Sequence, residues 1–442
     1  MTLSTATGDW LGELYRPGRY LRAVQRLSAE DRRRRRRDDA VPGIAQMALD
    51  ARAVGKALAR DIRSGAYRPT PASTRLAQLD KERELLVLTP IDRVVHTVVG
   101  ELLAEVIEPM LPDSLYSYRK GRSAQQALRV VGDYLRAHRD AHADPRQRGL
   151  YLLRADVAAY GDSIRMDARA PIWPMLEALA GGVPEPGSRY HAAWRVVVGT
   201  VHQPIVADGE ACPAVGVPTG SPVVAAIANL YLGPLDRALG STPDGLYLRY
   251  GDDFLFAHRD RPQVDRALDR ARAILEELGL ALNRDKLRLY WFNGAARPDP
   301  SGRAAGVDRV DYLGCTIQFG GTVSLTPAKA NELLADVAAR VRRSARLLED
   351  APVDQRIQAL TAMLARGMDA ASPGALRQAA LINQMVDDRA QLRDLDYRIA
   401  LVVAESLSGR RGPRAFRAVP YRRLRDAGLP SLVVRRNRGE RW

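Results

Sequence analysis

Twelve residues constrain this chain more than any others: Leu246-Tyr-Leu-Arg-Tyr250-Gly-Asp-Asp253-Phe-Leu-Phe-Ala257. Two short apolar, β-prone runs meet at a glycine and two acids, a pattern that folds most economically as a tight hairpin. Gly251 falls where a two-residue type II′ turn needs a first central residue with positive φ. The turn then presents Asp252 and Asp253 at its tip. Alone, an Asp-Asp pair in a turn is ordinary turn chemistry. A third acid changes the reading: Asp156 lies near the end of the apolar strand predicted at 151–157, and a strand end beside a hairpin tip brings carboxylates together around divalent ions. Two ions about 4 Å apart stabilise both the attacking and the leaving oxygen of an in-line phosphoryl displacement. Hard oxygen ligands acting with substrate phosphates favour Mg²⁺. The expectation is three carboxylates, distant in the chain, gathered at one spot around two Mg²⁺ ions.

Around that hairpin the chain alternates strand and helix. Helical spacing covers 44–64, 92–107, 221–239 and 264–278, with Gly279 as a stop. Gly65-Ala-Tyr-Arg-Pro69 breaks the first of these, and 85–88 supplies a short extended run. Beyond Gly320 the pattern turns helical: Thr326-Pro327 reads as N-cap and N1, and Leu333, Leu334, Val337, Val341 and Leu348 form one stripe. Arg340, Arg342, Arg343 and Arg346 fall on other faces, suited to a phosphate backbone or to solvent. The fold class expected is α+β, strands with helices on one side.

Charge and cysteine content narrow the setting. With 67 basic and 52 acidic residues the chain carries +15, which suits a polyanion such as nucleic acid. The excess is concentrated: 401–442 holds 11 arginines against three acids. The arginine block 32–37 reads as either a solvated face or an RNA contact. Cys212 and Cys315 alone make neither a disulfide framework nor a zinc site. No leader pattern and no membrane-length apolar run is visible, so the expected location is cytoplasmic, with no membrane partner.

Taken together, these residues resemble the reverse transcriptases, nearest the bacterial, group II intron-like branch, over roughly 57–319. Asp156-Val-Ala-Ala-Tyr-Gly-Asp162 resembles that family's first catalytic block. Gly216-Val-Pro-Thr-Gly220-Ser-Pro222 with Ala228-Asn229 to Asp236 resembles its template-and-nucleotide block, and Tyr250 to Asp253 its catalytic hairpin. Leu278 to Lys286 resembles the next block and Tyr312-Leu313-Gly314 the primer grip; Arg83 with Asp92-Arg93, and Tyr116 to Arg122, resemble the fingers segments. The resemblance implies a right-hand polymerase: a helical N-terminal extension at 1–70, fingers at 71–150, a palm with an antiparallel sheet at 151–322, a helical thumb at 323–410 and a basic tail at 411–442.

It also implies roles. Asp156, Asp252 and the Val157 carbonyl would hold metal, with Asp253 the adjacent acid. Lys81 and Arg83 would hold the triphosphate, with Tyr160, Gly161, Thr219 and Gly220 around the nucleotide. Lys286 would be the general acid for the departing pyrophosphate. Arg119, Arg122, Arg340, Arg343, Arg422 and Arg423 are candidate nucleic-acid contacts. Implied partners are an RNA template, an RNA or DNA primer, nucleoside triphosphates and a dedicated non-coding RNA.

Two positions depart from the family pattern. Five residues after Asp156, where a bulky aromatic usually excludes a ribose 2′-hydroxyl, stands Gly161; where Gln is common, stands Thr219. Either Tyr160 takes over the exclusion, or discrimination against ribonucleotides is relaxed, or synthesis is template-independent. The 128 residues after Gly314 show no Cys/His nuclease cluster, and His138 and His142 read as surface residues. Pro222 and the lack of a retron-type thumb signature leave a stand-alone, defence-associated bacterial enzyme as the nearest resemblance. A non-catalytic RNA-binding scaffold and a viral-type RNA polymerase are the alternatives.

Overall fold

The computed structural model describes residues 9–35, 43–78, 82–142, 148–207, 210–212, 216–217, 220–302, 304–369, 375–376 and 378–437. The chain forms two compact units, the first from 1–122 and 153–288, the second from 123–152 and 289–442.

In the first unit the N-terminal helices are part of the core. Trp10, Leu11 and Leu14 are buried, and the Trp10 indole donates to the Leu179 carbonyl at 2.9 Å. The helical stretch expected at 44–64 is two helices, Ile44–Leu49 and Ala51–Arg63. Asp50 separates them because its carboxylate accepts the Ala53 N–H, as an N-cap does. The helix Pro90–Ile107 begins where Thr89 caps the Asp92 N–H and proline takes N1. It is buried on most of its circumference, through Val94, Val95, Val98, Val99, Leu102 and Leu103. At Gly100 a Cβ would lie 2.6 Å from the Pro222 carbonyl oxygen, so only glycine lets the 221–223 turn sit on this helix. The single helix expected at 221–239 starts later and is broken: Val224–Tyr231 is followed by Gly233–Gly240, with Pro234 near the second start, where its missing N–H costs least.

Strand Leu150–Asp156 neighbours Asp253–His258, which pairs with Leu246–Tyr250 in the predicted antiparallel hairpin. A two-stranded sheet, Ser73–Gln78 with Glu82–Val87, completes the unit's main strands. Helix Arg261–Glu277 ends as expected at Gly279, at φ 72°.

The second unit carries helices Pro327–Leu347, Val353–Gly367 and Arg389–Ser408 and a three-stranded antiparallel sheet over 309–325. Thr326 and Pro327 are the N-cap and N1 predicted. Against the antiparallel expectation, Arg288–Phe292 pairs in parallel with Ala305–Val307, because the intervening loop carries the chain back to the same end before the second strand begins. Among the described residues, no helix is long and apolar enough to cross a membrane.

Candidate active site

The hairpin closes as its sequence requires. Tyr250 faces Asp253 across the pair, leaving Gly251 and Asp252 as the two loop residues. Gly251 has φ 69°, and a Cβ there would meet nothing within 4 Å. Backbone conformation rather than space therefore demands the glycine.

Beneath the turn lies a fully buried ion pair. Arg249 Nε and Nη2 donate to the two carboxylate oxygens of Asp236 at 2.7 and 2.6 Å, and Arg249 Nη1 donates to the Gly251 carbonyl at 2.8 Å. The Tyr247 hydroxyl adds a bond to Asp236 at 2.8 Å. Both charged side chains are 0% exposed. The bidentate geometry fixes the guanidinium plane, and its third nitrogen fixes the backbone of the turn. The sequence reading missed Arg249; the available signal was an arginine inside an otherwise apolar strand, which cannot be buried without a partner.

Strand Leu150–Asp156 delivers the third acid. The Val157 N–H donates to the Asp252 carbonyl at 3.1 Å, so the strand end and the hairpin tip are joined through the backbone. On its other side the strand end bonds to 281–283: Ala158 N–H to Ala281 O and Asn283 N–H to Asp156 O, both at 2.8 Å. Asn283 then caps a single turn, its side chain accepting from Asp285 N–H at 3.1 Å. That turn brings Lys286 back so that its ammonium lies 2.8 Å from Asp156 Oδ2. Asp156, Asp252, Asp253 and Lys286 are thus assembled by three segments of one unit.

The three carboxylates do not form one cage. Asp253 turns to Arg154, whose Nη2 donates to Oδ2 at 2.9 Å, while Asp253 Oδ1 is buried without a hydrogen-bond partner. Burial raises the Asp253 pKa, with Arg154 opposing and Asp156 and Asp252 adding to the rise. Among the described residues no three His, Cys, Asp or Glu side chains are grouped as a metal site. Asp156 and Asp252 both act electrostatically on Asp253, so the three carboxylates lie near one another, with Asp253 turned to Arg154 as the adjacent acid. The remaining donors are Asp156 and Asp252, hard oxygen ligands that fit a divalent cation completed by substrate oxygens and water.

Around the nucleotide candidates, Gly161 accepts the Val217 N–H at 2.9 Å. Among the described residues a Cβ at Gly161 would meet only the Val217 carbonyl, at 3.8 Å, an ordinary contact. Tyr160 is buried, its hydroxyl donates to the Ala228 carbonyl at 2.5 Å, and burial pushes its pKa up. Gly220 has φ 100° and lies over Leu86. Arg83 lies on a strand opposite Ala77; Lys81 and Thr219 lie outside the described residues.

Next to Gly220, Ser221 belongs to a buried chain of polar groups. Gln203 Nε2 donates to the Thr70 and Pro204 carbonyls, so its oxygen accepts from His96 Nε2 at 3.0 Å. His96 Nδ1 is then the acceptor for the Ser221 hydroxyl at 3.1 Å. Desolvation lowers the His96 pKa to about 4.

In the second unit Leu313 (φ 48°) and Gly314 (φ 79°) form the two-residue turn joining Arg309–Tyr312 to Cys315–Gln318, and Tyr312 is buried. Several of the arginines expected on nucleic acid make ion pairs within the protein. Arg119 is 6% exposed against Glu108 at 2.7 Å and donates to the Pro112 and Leu115 carbonyls. A buried guanidinium making four hydrogen bonds to three acceptors is a structural clamp. Arg122 pairs with Asp113 and lies over the Tyr116 ring; Arg340 pairs with Asp336, Arg423 with Asp354 and Arg422, more loosely, with Asp426. Arg343 is exposed and makes no ion pair among the described residues. His138 and His142 are half-buried, their ring centroids 4.4 Å apart.

Among solved structures, the chain is similar to telomerase from Candida albicans in complex with a fragment of telomeric RNA, at 12% identity and TM-score 0.47, over 83% of this chain and 62% of that one. It is similar to apo telomerase from Candida tropicalis at 11% identity and TM-score 0.44, over the same shares. The chain thus spans less than two thirds of the length of these proteins. No curated protein sequence matches it. Residues 77–317, more than half of the chain, match the reverse transcriptase (RNA-dependent DNA polymerase) family, and the chain belongs to that family.

Proposed function

We propose that this protein is an RNA-directed DNA polymerase that adds nucleotides to a primer 3′-hydroxyl with two Mg²⁺ ions. The observation that carries this reading is the junction of strand end and hairpin tip: Val157 N–H on the Asp252 carbonyl, with Lys286 on the Asp156 carboxylate. Asp156, Asp252 and the Val157 carbonyl are the residues that would hold the ions. When bound, such ions lower the pKa of the attacking hydroxyl and neutralise charge on the transferring phosphate. Arg249 and Asp236 hold the turn so that Asp252 needs no reorganisation, the condition under which electrostatic stabilisation is most effective. Lys286 holds a proton next to the phosphates and is the group to deliver it to the leaving pyrophosphate. Arg154 keeps Asp253 turned inward and out of the ion site.

Primer extension on an RNA template tests this directly. Asp252→Ala and Asp156→Ala abolish incorporation while the circular dichroism spectrum is unchanged; full activity of either variant removes that carboxylate from the catalytic site, and RNA binding without incorporation by the wild type supports the non-catalytic RNA-binding scaffold instead.

A second reading, relaxed selection against ribonucleotides, is favoured by one observation: among the described residues nothing comes closer than 3.8 Å to a Cβ at Gly161, while the Tyr160 hydroxyl is held by the Ala228 carbonyl. Competing NTP and dNTP incorporation reads it. The resemblance to stand-alone bacterial enzymes supports a cytoplasmic, defence-associated setting, with a dedicated RNA as template. Plaque counts with the wild type and Asp252→Ala, and sequencing of co-purifying RNA, test that setting.

A further inference from the structure

The second unit contains a cavity of about 530 Å³ that the polymerase reading does not use. Its walls come from three segments: Arg342 and Arg346 on helix Pro327–Leu347, Arg356 on helix Val353–Gly367, and Arg410 and Arg411 just past helix Arg389–Ser408. None of the five arginines makes an ion pair among the described residues, whereas their neighbours on the same helices do, Arg340 with Asp336 at 2.8 Å and Arg398 with Asp394 at 3.6 Å. The Arg356 Nε is buried with no hydrogen-bond partner among the described residues. Two acids line the cavity, Glu349 and Glu405. Glu405 already accepts the Gly412 N–H at 2.7 Å, which anchors the turn carrying Arg410 and Arg411. Five guanidinium groups against two carboxylates around one concavity repel each other until an anion enters, and planar guanidinium forks match phosphate oxygens.

We propose that this cavity binds a terminal di- or triphosphate group, carried by a free nucleotide or by the 5′ end of an RNA. Convergence of charge selects the compact ligand. The volume falls within the roughly 300–1,000 Å³ of small-molecule sites, and guanidinium groups brought from three segments to one open cleft focus positive charge on a small polyanion such as a terminal phosphate group. The inference is independent of synthesis at the hairpin, because binding alone reports on it.

The test is isothermal titration calorimetry of the full chain with sodium tripolyphosphate in EDTA. Three proteins are compared: wild type, Arg346→Glu/Arg410→Glu, and Arg266→Glu/Arg270→Glu, which makes the same charge change at exposed positions on helix Arg261–Glu277. Wild type and the helix control bind alike, and the cavity variant binds about tenfold more weakly or worse. Should the charge reversals disturb folding, Arg410→Ser/Arg411→Ser gives the same reading with less perturbation. ATP, a 5′-triphosphate RNA and the same RNA with a 5′-hydroxyl then identify the source. RNA-end recognition makes the triphosphate RNA bind at least about tenfold tighter than its hydroxyl counterpart and than ATP; nucleotide recognition makes ATP the equal of the triphosphate RNA. No binding by wild type, or equal loss in the cavity and helix-control variants, overturns the proposal.

Discussion

Replacing Asp236 with alanine leaves the Arg249 guanidinium fully buried with its charge uncompensated. In the native protein Asp236 supplies both acceptors of a bidentate pair, at 2.7 and 2.6 Å, and also receives the Tyr247 hydroxyl. Removing one partner of a buried pair costs about 3–5 kcal/mol, chiefly because the other charge stays desolvated. For a unit of this size each kcal/mol lowers Tm by about 2–4 °C, so Asp236→Ala lowers it by roughly 6–20 °C. Thermal unfolding followed by circular dichroism and by calorimetry measures this. The double variant Asp236→Leu/Arg249→Met replaces both charges with apolar groups and returns stability to within about 1 kcal/mol of wild type. Primer extension by the double variant stays low, because the Gly251 carbonyl has lost the nitrogen that fixes it. If Asp236→Ala costs less than about 1 kcal/mol, or if the double variant extends primers as wild type does, the assignment of this pair as the support of the turn is wrong.

Further predictions rest on separate groups. His96 is held neutral with a pKa of about 4, below its unfolded value near 6.5. The unfolded chain therefore takes the proton first, and stability falls as pH drops from about 6.5 toward 4 by up to about 3 kcal/mol; urea titrations at intervals across that range show the decline, and His96→Leu shows a smaller slope. Gly161→Phe, at a position with ordinary φ where no described residue comes closer than 3.8 Å to a Cβ, lowers NTP incorporation relative to dNTP by about tenfold or more, corresponding to a steric term above about 1.4 kcal/mol; an unchanged ratio in competition assays counts against the sugar-selection reading. Lys286→Met reduces single-turnover incorporation by about 10²-fold or more if Lys286 is the general acid, with primer binding unchanged in a gel-shift titration. Arg119→Ala destabilises the fold without changing the salt dependence of RNA binding, because its charge is spent on Glu108.

What the sequence disclosed, and what it concealed, follows from the range of the interactions. The hairpin over 246–257, the cap at Thr326 and the stop at Gly279 depend on residues a few positions apart, and turn and cap chemistry is written locally. The break at Asp50 is equally local but competes with an uninterrupted apolar stripe, and the cap won over the stripe. Arg119 carries no local mark of its role: its acceptors at Glu108, Pro112 and Leu115 come together only through an irregular turn. Arg249 and Asp236 are thirteen residues apart on different elements, and nothing periodic links them. Asp253 is the adjacent acid that the resemblance implies, and its partner Arg154, 99 residues away, carries no local mark in the sequence. Tyr160 was left open between core and pocket, and the Ala228 carbonyl, 68 residues away, decides for the core.

Anomalous diffraction from crystals soaked in Mn²⁺ with primer, template and a non-hydrolysable nucleotide tests the central claim most directly. The account predicts anomalous peaks between Asp156 and Asp252, within coordination distance of the Val157 carbonyl, with Lys286 released from Asp156 and Asp253 still on Arg154. Peaks absent from that site at full nucleotide occupancy, or an ion held by Asp253 in place of Asp252, would contradict it.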